Sequence, residues 1–163
     1  YPWSGREQEF CDTMGKALEL SSGSGILLDP ELGYKVPDGH LKARRLVTGT
    51  LDLLNESQGV GVTSYGLISA HKTLPWDAFA GVGFGSPQMY TVPIKTAKRA
   101  VEQWRGRWPT VIASVPTFGE KAGKKIAPYA GTLLEVCDGA IFWSWRSTSR
   151  AEWREIAKLA GVD

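Results

Sequence analysis

The stretch Gly25-Ile26-Leu27-Leu28-Asp29-Pro30-Glu31 decides how this chain is read. Its apolar half shows no polar alternation, the pattern of a strand buried on both faces in a parallel sheet covered by helices. Pro30 has no N–H to give to a ladder, so the strand is expected to fray there, at its carboxyl end. Strand residues two apart share a face, about 7 Å apart at ~3.3 Å per residue. Asp29 and Glu31 are therefore expected on one wall of one site, at a separation that glycoside hydrolysis can use. In barrels and open α/β sheets, the carboxyl ends of the strands are where chemistry sits. The triplet also fits a blander description, a capping Asp and a surface Glu opening a loop.

Outward from this stretch, strand-like and helix-like segments alternate. Ser4-Gly5-Arg6-Glu7 fits a capping box ahead of a stripe of Phe10, Met14, Ala17 and Leu18. After the strand at 26–31, Asp38 is placed to cap a helix carrying Ala43, Leu46, Val47, Thr50, Leu51 and Leu54 on one side. Further strands are expected at 59–65, 86–92, 110–115 and 140–145. A helix after Lys95 turns Ala97, Val101, Trp104 and Trp108 inward, and another ending near Cys137 carries Ile126, Ala130, Leu133 and Leu134. Ser149-Arg150-Ala151-Glu152 is a second capping box, opening a helix with Trp153, Ile156, Ala157 and Ala160 inward. Such alternation means βαβ units and a parallel sheet. Five strands make an open sheet or part of a (β/α)₈ barrel; a whole barrel takes about 250 residues, and this chain has 163.

Composition narrows the function classes. With 42% hydrophobic residues the chain can bury one core and form one domain. A net charge of +2 carries no polyanion signature, and Lys121, Lys124 and Lys125 read as a solvated helix face, so no nucleic-acid partner is expected. Cys11 and Cys137 have no metal-type spacing and read as free thiols, their pairing left open. No apolar run approaches the roughly 18 residues of a membrane span, so no membrane partner is expected. The start at Tyr1-Pro2-Trp3, rather than Met, reads as a piece of something longer or a processed product. Of seven tryptophans, Trp104, Trp108 and Trp153 fit helix-to-sheet packing.

The strand ends carry the chemistry. Asp29 and Glu31 close the first, Thr63, Ser64 and Tyr65 the second, Gln88 and Tyr90 the third, Trp143 and Trp145 the last. Carboxylates can do acid–base work, an amide and a phenol can hold hydroxyls or an N-acetyl group, and indoles can stack on a pyranose. Either Trp143 or Trp145 serves equally well as barrel core. His71 and His40 lack partners at ligand spacing, so no metal is expected. Gly81-Val82-Gly83-Phe84-Gly85 precedes a strand rather than joining strand to helix, which excludes a phosphate loop. Ser64 has neither a nucleophile-elbow pattern nor a His partner legible in the sequence.

Asp29-Pro30-Glu31 followed by Tyr34, then Val62-Thr63-Ser64-Tyr65, Leu74-Pro75-Trp76, Pro87-Gln88-Met89-Tyr90 and Phe142-Trp143-Ser144-Trp145, resembles the glycoside-hydrolase-like TIM barrels. These occur in phage lysins and bacterial cell-wall proteins and are related to the family 25 lysozymes, the N-acetylmuramidases. The resemblance implies a parallel (β/α) barrel of which residues 1–163 cover roughly strands three to eight, Tyr1-Pro2-Trp3 being the tail of the third. It implies hydrolysis of β-1,4 bonds in peptidoglycan without a cofactor, at the cell wall, in a virion or lysis protein or a secreted one. Glu31 becomes the general acid and Asp29 the stabilising carboxylate, with Tyr34, Ser64, Tyr65, Gln88, Tyr90, Trp143 and Trp145 on the sugar. The first-strand acid of that family has no counterpart here, so an N-terminal segment or another chain is expected to complete the barrel. The alternative is a non-catalytic structural or glycan-binding module of a virion or cell envelope. An open-sheet enzyme for a phosphorylated metabolite is a third reading, without the glycine-rich strand-to-helix loop it needs.

Overall fold

The computed structural model describes residues 5–20, 24–117, 126–144, 146 and 148–161. Five strands, β1 (Gly25–Leu28), β2 (Gly59–Tyr65), β3 (Phe84–Gln88), β4 (Thr110–Pro116) and β5 (Gly139–Trp143), form one sheet in the order β1-β2-β3-β4-β5. Every pairing is parallel. The helices are α1 (Glu7–Leu20), α2 (Gly39–Leu51), α3 (Ile94–Arg105), α4 (Ile126–Leu134) and α5 (Arg150–Leu159). Parallel neighbours joined by right-handed crossovers in unbroken order carry their helices on one side. The result is a singly wound, curled half-barrel. The expected tail of a preceding strand at Tyr1-Pro2-Trp3 lies outside the described residues, as do Lys121, Lys124 and Lys125.

The register assigns the faces. Leu28, Val62, Gly85 and Val111 lie level on the convex side, and Ala113 pairs with Ala140, Val115 with Phe142. This side meets the helices: Val62, Val111, Ala113 and Val115 are fully buried, together with Ala97, Ala100, Val101 and Trp104 of α3. Trp104 and Trp108 sit directly over Gly85, where a Cβ would come within 2.6 Å of the Trp104 ring. Trp76 meets both indoles edge-on, at 5.4 and 6.2 Å between centroids. The concave side carries Leu27, Gly61, Phe84 and Thr110 at one level, then Thr63 and Ser86, then Tyr65, Gln88, Ser114 and Ile141, and finally Pro116 and Trp143.

Several element ends differ from the sequence expectation for local reasons. β1 stops at Leu28 because Pro30 cannot pair and the chain turns into a 3₁₀ helix at Leu32–Tyr34. β3 starts two residues early, at Phe84, and is over by Gln88, since Met89 onward forms a turn whose Val92 N–H donates to the Met89 carbonyl. Asp38 precedes α2 but makes no side-chain cap; its carboxylate pairs with Lys42 at 3.0 Å instead. The Ser149–Glu152 capping box is present in both directions, whereas Ser4 of the first box is not described. Trp153 is 41% exposed and Ala160 is also exposed, so the inward face of α5 is narrower than expected and rests on Ile156. Cys11, missed by the expected stripe, is buried in α1 together with Glu7, and both cysteines are free.

Candidate functional site

The carboxyl ends of the strands converge on Asp29. Leaving β1, Asp29 receives a hydrogen bond from Gln88 of β3, Nε2 to Oδ1 at 3.0 Å. Since β2 lies between these strands, their backbones are about 10 Å apart at ~4.8 Å per neighbour. One glutamine side chain spans that gap only because the sheet is curled and its concave side closes inward. Asp29 is exposed as a residue, yet its carboxyl is tucked against its neighbours. Burial, then the nearby Glu31 charge, push its pKa up, while the Gln88 bond opposes the rise. Tyr90 stands on the other flank: burial and then the Asp29 charge raise its phenol, and a hydrogen bond with Ser114 pulls it back.

Glu31 is exposed at the entry to the 3₁₀ helix, and its carbonyl accepts the Tyr34 N–H at 3.0 Å. Its charge is felt by both Asp29 and His71. His71 is placed by a 3₁₀ turn, Ile68–His71, and stacks on Tyr65 with centroids 5.4 Å apart and planes at 15°. Its Nδ1 lies 3.5 Å from Ser64 Oγ, so Ser64 does have a histidine neighbour, a correction to the sequence reading. Burial first, then Lys35, lower the His71 pKa, with Glu31 acting against them. The Thr91 hydroxyl donates to Tyr65 Oη at 2.7 Å, tying β2 to the turn that carries Tyr90.

The remaining expected residues divide. Gln88, Tyr65 and Trp143 share the concave face with the site, Trp143 at 58% exposure, an indole open to a ligand. Ser64 is buried on the opposite face, level with Pro87. Tyr34 is removed from the site: it is core, meeting Phe79 edge-on at 6.1 Å. Burial, with the charges of Glu7 and Cys11 behind it, pushes its phenol up to about 12. Trp145 lies outside the described residues. Three contributors had no signal in the sequence reading. In the sequence His71 reads only as a candidate metal ligand; Thr91 and Ser114 are small polar residues that only the register brings to the site. Among the described residues no His, Cys, Asp or Glu cluster could hold a metal ion, and no helix is long and apolar enough to cross a membrane.

Searches of family models, curated proteins and solved structures return no match to this chain.

Proposed function

We propose that this cleft is the sugar site of a muramidase-like glycoside hydrolase acting on β-1,4 bonds of peptidoglycan, on a half-barrel that forms part of a (β/α)₈ barrel. The observation that carries the reading is the convergence of Asp29, Glu31, Gln88 and Tyr90 at the carboxyl edge, with Gln88 pinning Asp29 across β2. In this reading Glu31 protonates the leaving oxygen. It faces solvent in the free protein, so the bound sugar itself must strip water from it. Asp29, held by Gln88, stabilises positive charge at the anomeric carbon. Tyr90 and Gln88 orient the sugar, and Trp143 offers a stacking wall.

Glu31→Gln tests this. The amide keeps shape and hydrogen bonding but delivers no proton, a loss that costs ~10²–10⁴-fold for a general acid. Reducing-end release from purified peptidoglycan should fall by that factor while co-sedimentation with the same walls persists. A second reading, a glycan-binding module without turnover, is favoured by the exposure of Glu31. It is selected if wild-type protein sediments with walls and releases no reducing ends. Absence of both removes the sugar site.

A further inference from the structure

A barrel interior is ordinarily filled with bulky apolar side chains. Three adjacent strands here place hydroxyls there instead: Thr63 on β2, Ser86 on β3 and Ser114 on β4, with Ser86 0% and Ser114 3% exposed. Buried hydroxyls are costly unless paired, and these are paired in a row. Thr63 Oγ1 donates to the Ser86 carbonyl at 2.7 Å, and Ser86 Oγ lies 2.8 Å from Ser114 Oγ. Ser114 in turn hydrogen-bonds the Tyr90 phenol, which stands beside Asp29. An all-apolar replacement of such a row would be nearly neutral for stability. The row ends at the candidate site.

We propose that Ser114, backed by Ser86, is a positioning residue of this site, donating to Tyr90 so that the phenol is held beside Asp29 with its own O–H directed to an acceptor in the cleft. The direction is part of the proposal, since either hydroxyl can donate in the 2.8 Å Ser86–Ser114 pair. Thr63 spends its proton on the Ser86 carbonyl; with Ser86 donating to Ser114, the Ser114 hydroxyl keeps its own proton for Tyr90. A phenol has one proton; with its oxygen accepting from Ser114, that proton points away from the sheet interior. The groups facing the phenol include Asp29, from the exit of β1, and Ser114, from β4. The proposal rests on the sugar-site reading for the identity of the acceptor, but the relay can be measured without a sugar.

The experiment is an NMR titration of protein labelled with ¹³Cζ-tyrosine, the Tyr90 signal being identified by its loss in Tyr90→Phe. A donating Ser114 favours the phenolate, so in Ser114→Ala the Tyr90 midpoint moves up from the wild-type value. Ser86→Ala moves it the same way by less, and Ser114→Thr, which keeps the hydroxyl, returns it toward wild type. Binding of peptidoglycan fragments should weaken roughly three- to tenfold in Ser114→Ala, the worth of one hydrogen bond. An unchanged midpoint in folded Ser114→Ala overturns the relay, whatever happens to binding. A moved midpoint in a protein that binds no peptidoglycan, wild type included, upholds the relay and sinks the sugar reading alone. If Ser114→Ala does not fold, Ser86→Ala and Ser114→Thr decide: equal midpoints in wild type and Ser86→Ala overturn the proposal.

Discussion

Gly85→Ala puts one methyl group where the fold has no room for it. The added Cβ would lie 2.6 Å from Trp104 Cε3, 2.8 Å from Trp108 Cε3 and 3.1 Å from Trp108 Cδ2. Neither indole can swing aside. Both are buried, Trp104 Nε1 donates to the Gly66 carbonyl at 2.9 Å, and Trp108 Nε1 to the Phe79 carbonyl at 3.3 Å. Overpacking a tight core costs ~1–3 kcal/mol, and a displaced indole hydrogen bond adds ~1 kcal/mol, giving about 2–4 kcal/mol. At roughly 2–4 °C per kcal/mol for a domain of this size, Tm should fall by about 5–15 °C. Urea unfolding followed by tryptophan fluorescence measures the loss directly, because the reporters are the residues disturbed. Gly131→Ala in α4 is the control: nothing lies within 4 Å of its Cβ position, so better helix propensity should stabilise by about 0.5–1 kcal/mol. A Gly85→Ala protein within 0.5 kcal/mol of wild type would refute the claim that α3 and the sheet are locked through this contact.

Asp29 supplies a pH test whose sign is fixed. Its folded pKa is raised by burial, so its contribution favours the folded state below the unfolded pKa and is lost as pH rises through the folded one. Asp29→Asn should therefore raise the urea midpoint at neutral pH relative to wild type, the advantage vanishing in acid; an advantage that grew in acid would reverse the argument. Gln88→Leu removes the bond that opposes the rise, so the Asp29 midpoint in a ¹³C-carboxyl titration should move further up. Ser149→Ala breaks a reciprocal capping box with bonds of 2.6 and 3.3 Å and should cost about 1 kcal/mol by urea unfolding. Trp143→Ala should leave stability near wild type, since the indole is exposed, while weakening sedimentation with peptidoglycan.

The parallel α/β class was legible because its signal is local. Runs such as Gly59–Tyr65 and Thr110–Pro116 are apolar and β-branched, and the helices between them repeat their apolar residues with helical spacing. Asp29, Gln88, Tyr65 and Trp143 were also legible, because strand period and the carboxyl-end rule place them without knowledge of the partners. What escaped depends on contacts between strands far apart in sequence. Tyr34 follows the Asp-Pro-Glu motif by three residues, yet the 3₁₀ turn rotates it into the core against Phe79. His71 meets Ser64 only because the turn after β2 folds back over the strand end. Ser114 is indistinguishable from any strand serine until the register sets it beside Ser86.

The unbroken strand order has a kinetic consequence. Each strand pairs with the one next to it in the chain, so each pairing closes a loop of only roughly 25–35 residues, and closure entropy grows slowly over such lengths. No pairing among the described strands waits for a distant segment to arrive. The sheet can therefore grow from any adjacent pair, and growth from β1 follows the direction in which a ribosome delivers the chain. The Gln88–Asp29 bond is the exception: it skips a strand and forms only after β2 has taken its place between β1 and β3. Formation of this bond thus reports that the first three strands have assembled in order.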